Sequence, residues 1–131
     1  MVKPKKGQIK HRISWEEVVS LVDKICDRIK NEGWNIYNVY GIPRGGLIIA
    51  VMVSHRLKVP MTVTKTGIGL NTLIVDDIYD SGKTVRRYRK KYKSNIIACL
   101  YSRREIKYGK KYVFGYVLDN DDWLIFPWEV E

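Results

Sequence analysis

Apolar positions along the chain recur with two different periods, and the changes of period mark the elements. Ser14-Trp15-Glu16-Glu17 reads as a capping box, with Ser14 at the N-cap and Glu17 three residues on. Val18, Val22, Ile25, Cys26 and Ile29 then recur at helical spacing, and Gly33 ends the run. Tyr37 to Ile42 reads as a strand closed by Pro43-Arg44-Gly45-Gly46, and the apolar stretch Leu47 to Leu57 as a buried helix. Pro60 punctuates. Met61 to Lys65 alternates as a strand, Gly67-Ile68-Gly69 is a turn, and Thr72 to Val75 is a short apolar strand ending in Asp76-Asp77. After Gly82 the spacing predicts a basic helix to about Tyr92, with Val85, Tyr88 and Tyr92 on one face. Ile96 to Tyr101, Tyr112 to Leu118 and Leu124 to Phe126 read as later strands.

Strands therefore alternate with helices, and the middle strands are apolar without clean alternation. That pattern predicts an α/β fold: a doubly wound, mainly parallel sheet with helices on both faces. Residues 1–13 are expected to form a basic arm ahead of one domain spanning 14–131. A chain of 131 residues, 45% hydrophobic and 29% charged, can bury a core without disulfides or structural zinc. Its two cysteines, Cys26 and Cys99, sit among apolar neighbours in no metal-ligand spacing, so both are expected to be buried, reduced thiols. No apolar run approaches the roughly 20 residues that span a bilayer, and no apolar core follows the basic start. The expectation is a soluble, cytoplasmic protein.

Charge changes the picture. Twenty-four basic residues against 14 acidic give +10, a surface that attracts phosphorylated metabolites, nucleotides, nucleic acid or acidic membranes. In a doubly wound sheet, ligands bind beyond the C-terminal strand ends. Two turns with unusual chemistry leave that edge: Pro43-Arg44-Gly45-Gly46 and the segment from Asp76 to Thr84. Asp80-Ser81-Gly82-Lys83-Thr84, lying between a strand and a helix, combines small residues, hydroxyls and a helix N-terminus into a phosphate cup. It is not a P-loop, because Asp77 stands where that motif needs its first glycine. Asp76, Asp77 and Asp80 crowd the strand end. A vicinal diol or Mg²⁺ would relieve their repulsion, and a ligand carrying phosphate, ribose and metal would satisfy every group.

The segment Leu73-Ile74-Val75-Asp76-Asp77-Ile78-Tyr79-Asp80-Ser81-Gly82-Lys83-Thr84 resembles the phosphoribosyl-pyrophosphate (PRPP) signature of type I phosphoribosyltransferases. Arg44-Gly45-Gly46 resembles that family's pyrophosphate loop. Asp122-Trp123-Leu124-Ile125-Phe126-Pro127-Trp128-Glu129 is similar to the tail of small microbial purine enzymes of the xanthine–guanine and hypoxanthine types. The resemblance implies a purine phosphoribosyltransferase that joins PRPP to a 6-oxopurine, releases pyrophosphate and uses Mg²⁺. By resemblance Asp76 and Asp77 hold the ribose hydroxyls and the metal. Asp80 handles the purine N7 proton. Asp80, Ser81, Gly82, Lys83 and Thr84 hold the 5′-phosphate, and Arg44 and Gly45 hold pyrophosphate. Arg103 reads the purine carbonyl and Trp123 stacks on the base. Tyr112 is a second candidate platform, against the plainer reading of a core aromatic. Asp119 is a further metal-side acid. A homodimer or tetramer is implied.

Three departures stand beside the resemblance. Only Thr66 to Asn71 connects two strands between which relatives carry a long closing loop, so a neighbouring subunit, the basic arm or a partner is expected to supply cover and Lys65 to replace a loop contact. Arg103 replaces a lysine. Tyr79 is bulky and is expected to narrow the base pocket. His11 and His55 read as surface or packing residues, and Trp128 as core. The rival signal is the helix carrying Lys83, Arg86, Arg87, Arg89, Lys90, Lys91 and Lys93, followed by Arg103, Arg104, Lys107, Lys110 and Lys111. It is either a solvated cationic face or a polyanion surface, with Tyr88, Tyr92 and Tyr108 interleaved. The alternative function is therefore an RNA-binding regulator on the same fold that senses PRPP or a nucleotide.

Overall fold

A computed structural model describes residues 3–94, 96–105 and 111–130. Lys107, Tyr108 and Lys110 of the second basic run lie outside the described residues. The elements run β1 (Lys10–Arg12), α1 (Trp15–Glu32), β2 (Asn38–Gly41), α2 (Gly45–Leu57), β3 (Met61–Thr62), β4 (Thr72–Tyr79), α3 (Lys83–Tyr92), β5 (Ile96–Ser102), β6 (Lys111–Val117) and β7 (Trp123–Ile125). A single 3₁₀ turn, Lys65–Gly67, sits between β3 and β4.

Five strands form one sheet in the order β3-β2-β4-β5-β6, every neighbouring pair parallel. Alternate side chains of each strand face opposite sides, and both sides are covered. Val39, Leu73, Val75, Ala98 and Val113 meet Val18, Val22, Ile25 and Ile29 of α1 and Ile49, Ala50 and Val53 of α2. Tyr40, Ile74, Ile97, Cys99 and Tyr112 meet Val85 and Tyr88 of α3 on the other side. This is the doubly wound α/β architecture expected from the apolar pattern. The chain leaves β2 toward β3 on one side and returns to β4 on the other, so the strand order reverses between β2 and β4. Both unusual turns emerge at that crevice.

Local signals explain the helix limits. The Ser14 hydroxyl accepts from the Glu17 amide at 3.1 Å, and Gly33 closes α1 in the left-handed region at φ +71°. α1 carries Glu16 and Glu17 in its first turn, where the helix dipole favours acids. Both thiols are free and buried. Burial pushes Cys26 up to about 11 and Cys99 well above its ordinary value, so neither is a ready nucleophile. No helix among the described residues is long and apolar enough to cross a membrane.

Several boundaries differ from the sequence reading. β4 continues past Val75 to Tyr79, because β5 keeps pairing with it through Ile78↔Tyr101 and Tyr79↔Ser102. β3 stops at Thr62, since Val63 and Lys65 turn into solvent at the sheet edge. The basic arm contributes β1, which pairs in parallel with β7, Lys10 opposite Trp123 and Arg12 opposite Ile125. The β3–β4 connection is short but tied down. Asn38 donates to the Gly67 carbonyl at 3.1 Å, and the Thr72 hydroxyl accepts from the Gly69 amide at 2.8 Å.

Close backbone approach sets β2 against the start of α2. A Cβ at Gly41 would overlap the Gly46 carbonyl oxygen and lie 2.8 Å from the Leu47 Cα. Gly41→Ala is therefore expected to lower unfolding free energy by about 2 kcal/mol or more. Gly69→Ala, with open space at its Cβ, should stay within about 0.5 kcal/mol of the parent. Urea denaturation of both variants checks this; equal stabilities would contradict the packing assigned to Gly41.

Candidate functional site

The last residues of β4 and the turn into α3 enclose a cavity of about 240 Å³. Its wall is the continuous segment Asp76-Asp77-Ile78-Tyr79-Asp80-Ser81-Gly82-Lys83-Thr84-Val85. Asp76 and Asp77 are half-buried, although strands this deep in a sheet ordinarily carry apolar side chains. Each carboxylate accepts from the next amide: Asp77 N–H to Asp76 Oδ1 at 2.9 Å, and Ile78 N–H to Asp77 Oδ1 at 2.8 Å. Those bonds do not offset desolvation. Burial, then the negative charge of Asp77, pushes Asp76 up to about 8. Burial also raises Asp77. In the free site Asp76 thus keeps its proton near neutral pH.

Beyond the acids the chain makes its cup. Gly82 sits at the N-cap of α3 with φ +84°, a conformation other residues rarely adopt. A Cβ there would strike the Tyr79 hydroxyl. The Ser81 hydroxyl accepts from the Lys83 amide at 3.3 Å. Among the described residues the Thr84 and Val85 amides have no protein acceptor. They open the positive end of a helix whose first turn contains no acid.

Three arginines brace this turn. Arg86 donates to the Ser81 carbonyl at 3.2 Å, and Arg104 Nε to the Asp80 carbonyl at 3.0 Å. Arg103 Nε lies 3.5 Å from Asp80 Oδ1, while its terminal nitrogens donate to the carbonyls of Asn120 at 3.1 Å and Asp122 at 2.5 Å. One guanidinium therefore links the phosphate turn to the chain just ahead of Trp123. Trp123 itself is half-buried in β7, its amide donating to the Ile9 carbonyl at 2.7 Å. From the neighbouring strand end, Arg44 precedes α2 and is exposed. Gly45 lies so close to Asp77 that a Cβ would collide with its carboxylate.

Of the residues singled out in the sequence, Asp76, Asp77, Asp80, Ser81, Gly82, Lys83 and Thr84 share the cavity, Gly45 abuts it, and Arg103 connects it to the Trp123 segment. Tyr112 is not brought there. It is 7% exposed beneath α3, edge-on to Tyr79 at 5.8 Å and under Arg89 at 5.7 Å, so it is a core aromatic. Tyr79 is one of the residues that line the cavity. Its ring is buried against Tyr112 and Phe114 and its hydroxyl supports Gly82 from below. Trp128 is half-buried against the core and stacks on Phe126 with centroids 5.0 Å apart. Asp119 is exposed, and among the described residues no three His, Cys, Asp or Glu side chains converge, so it does not join the Asp76–Asp77 pair. His55 is exposed, and His11, also exposed, stands 4.0 Å from Glu17 on the α1 side. Lys65 lies over the Tyr88 ring, beside α3. The bracing roles of Arg86 and Arg104 have no local signature in the sequence; only the tertiary turn reveals them.

Open amides at a helix N-terminus and a carboxylate pair thus share one turn at a topological switch point of a parallel α/β sheet. Comparison with known proteins narrows what this turn can belong to. No family model matches the chain. A xanthine-guanine phosphoribosyltransferase of Gluconobacter oxydans (strain 621H) is 39% identical over 142 residues, covering 89% of this chain and 83% of that protein. One of Cereibacter sphaeroides (strain ATCC 17025 / ATH 2.4.3) is 29% identical over 148 residues, covering 90% and 86%. The crystal structure of a purine phosphoribosyltransferase from Pyrococcus horikoshii Ot3 superposes with a TM-score of 0.71 at 26% identity, covering 93% of this chain and 95% of that one. The chain belongs to the type I phosphoribosyltransferases, among the microbial purine enzymes, and is a glycosyltransferase.

The raised carboxylates link stability to pH. A group whose folded pKa lies above its unfolded value binds more protons when folded, so stability falls as pH rises between the two values. For Asp76 the fall runs from about pH 4 to about pH 8. Asp76→Asn removes the buried charge. It should therefore raise the thermal midpoint by about 3 °C or more near pH 9, with little effect near pH 5. A midpoint unchanged or lowered near pH 9 would show that the carboxylate is not held at a cost.

Proposed function

We propose that the protein transfers the 5-phosphoribosyl group of PRPP to a 6-oxopurine, hypoxanthine, guanine or xanthine, with release of pyrophosphate. The observation that carries this reading is the single cavity in which two raised carboxylates adjoin an open helix N-terminus. A ribose 5-phosphate bearing a polyphosphate leaving group needs both features side by side. The names of the relatives support the same substrate class.

In this reading the 5′-phosphate sits on the amides of Thr84 and Val85, with Ser81 and Lys83 beside it. Asp76 and Asp77 accept hydrogen bonds from the ribose hydroxyls. Arg44 and Gly45 lie on the pyrophosphate side, and Gly45 allows that loop to approach Asp77 without a clash. The two carboxylates fit Mg²⁺, which takes one or two protein acids and fills its remaining positions with phosphate oxygens and water. Bound there, it would neutralise charge on the departing pyrophosphate. Asp119 is exposed and apart, and is not needed for this set.

The reaction breaks the bond from C1 of the ribose to pyrophosphate and forms one from C1 to a purine nitrogen, through an oxocarbenium-like transition state. Asp80 takes the proton from N7 of the incoming purine. Its carboxylate is 71% exposed, with Oδ1 3.5 Å from Arg103 Nε. Arg103 holds the Asn120–Asp122 carbonyls, and so sets where Trp123 stands relative to Asp80. A base stacked on Trp123 would gain about 1–3 kcal/mol.

A screen of radiolabelled hypoxanthine, guanine, xanthine and adenine, each with PRPP and Mg²⁺, should show conversion of at least one 6-oxopurine to its monophosphate. Conversion of none, or of adenine alone, would contradict the reading. Asp80→Asn should lower kcat by about 100-fold or more while the KM for PRPP changes by less than about threefold. Equal losses in both parameters would place Asp80 in binding and not in proton transfer.

A further inference from the structure

Helix α3 carries more positive charge than the phosphate turn uses. Seven cations fall within the 11 residues Lys83–Lys93. Arg86 is engaged with the Ser81 carbonyl, and Arg89 lies over the Tyr112 ring. Arg87, Lys90, Lys91 and Lys93 are exposed, and among the described residues none stands within ion-pair distance of a carboxylate. Lys65 joins them from the β3–β4 connection, its ammonium 5.8 Å from the Tyr88 ring centre, while Lys91 stands 5.5 Å from that of Tyr92. Lys65, Arg87, Tyr88, Lys91 and Tyr92 line a separate cleft of about 180 Å³.

This arrangement works against the helix that bears it. Lys83, Arg87 and Lys91 form one row four residues apart, and Arg86 and Lys90 another, so like charges stack along one face. Burial of Val85 and Tyr88 holds α3 down despite this. An anion running along the open face would relieve the repulsion. The helix spans about 15 Å, which matches about four backbone charges of a single nucleic-acid strand. The two tyrosine rings hold their lysines over them and are not free to read bases. α3 itself exposes no large apolar side chain that would enter a bilayer.

We propose that the exposed face of α3, with Lys65, binds the phosphodiester backbone of single-stranded nucleic acid without regard to sequence, at a surface separate from the phosphoribosyl site. The test uses the full chain and a labelled single-stranded RNA of mixed sequence, followed by fluorescence anisotropy across a salt series. The expected plot of log affinity against log salt has a slope of about −3. The double variant Arg87→Glu, Lys91→Glu should weaken binding by about tenfold or more near 50 mM salt and flatten that slope. Lys30→Glu, at the far end of α1, should leave both unchanged. If the thermal midpoint shows that the double reversal does not fold, Arg87→Gln with Lys91→Gln should show the same loss in smaller degree. No binding near 50 mM salt, or equal loss from Lys30→Glu, overturns the proposal. So does capture by phosphatidylserine vesicles with no RNA binding.

Discussion

Two adjacent carboxylates at the end of a buried strand are the constraint on which the rest of the site depends. Neither Asp76 nor Asp77 has a cationic side chain within ion-pair distance among the described residues; they bond to backbone amides and to each other. Desolvation raises both, and each raises the requirement for something positive or hydroxylic from outside. A protein does not keep such a pair for its own stability, because a paired or apolar alternative would fold better. The pair makes sense as a half-finished coordination and hydrogen-bonding set that a ligand completes.

The fold places that set where a charged ligand can reach it. Parallel pairing of β4 with both β2 and β5 sends the β2 and β4 turns out of the same sheet edge. Gly41 and Gly46 let α2 settle onto the strand ends, and Gly45 lets its first turn touch Asp77. Tyr79 fills the space below Gly82, so the cup rests on a packed aromatic layer. Arg103 then connects the cup to the last strand pair, β1–β7, through the Asn120 and Asp122 carbonyls. The arm at the start of the chain is thus part of the structure that positions Trp123.

Much of this was legible in the sequence, for identifiable reasons. The stripe Val18–Ile29 and its caps define α1, and the uninterrupted apolar strands imply a sheet covered on both sides. The cup and the acids could be read because their residue types are costly anywhere else. What stayed hidden depends on partners far along the chain. Lys10–Arg12 carries no apolar residue, so only backbone pairing with Trp123–Ile125 makes it a strand. The extension of β4 through two aspartates has no hydrophobic signature and follows from β5. Tyr112 faces α3 because it sits opposite Ile97, a matter of register that the residue type does not disclose. Arg103, by resemblance a reader of the purine carbonyl, makes three contacts that add a bracing role no local motif shows.

The most direct test is carbon-detected NMR titration of the side-chain carboxyls of Asp76 and Asp77 in the ligand-free protein. Asp76 is predicted to titrate with a midpoint near 8, far above its ordinary value, and Asp77 also above the usual carboxylate range. If both carboxyls lose their protons near pH 4, like solvated aspartates, the pair is not a desolvated site awaiting a ligand, and the account of the cavity fails with it.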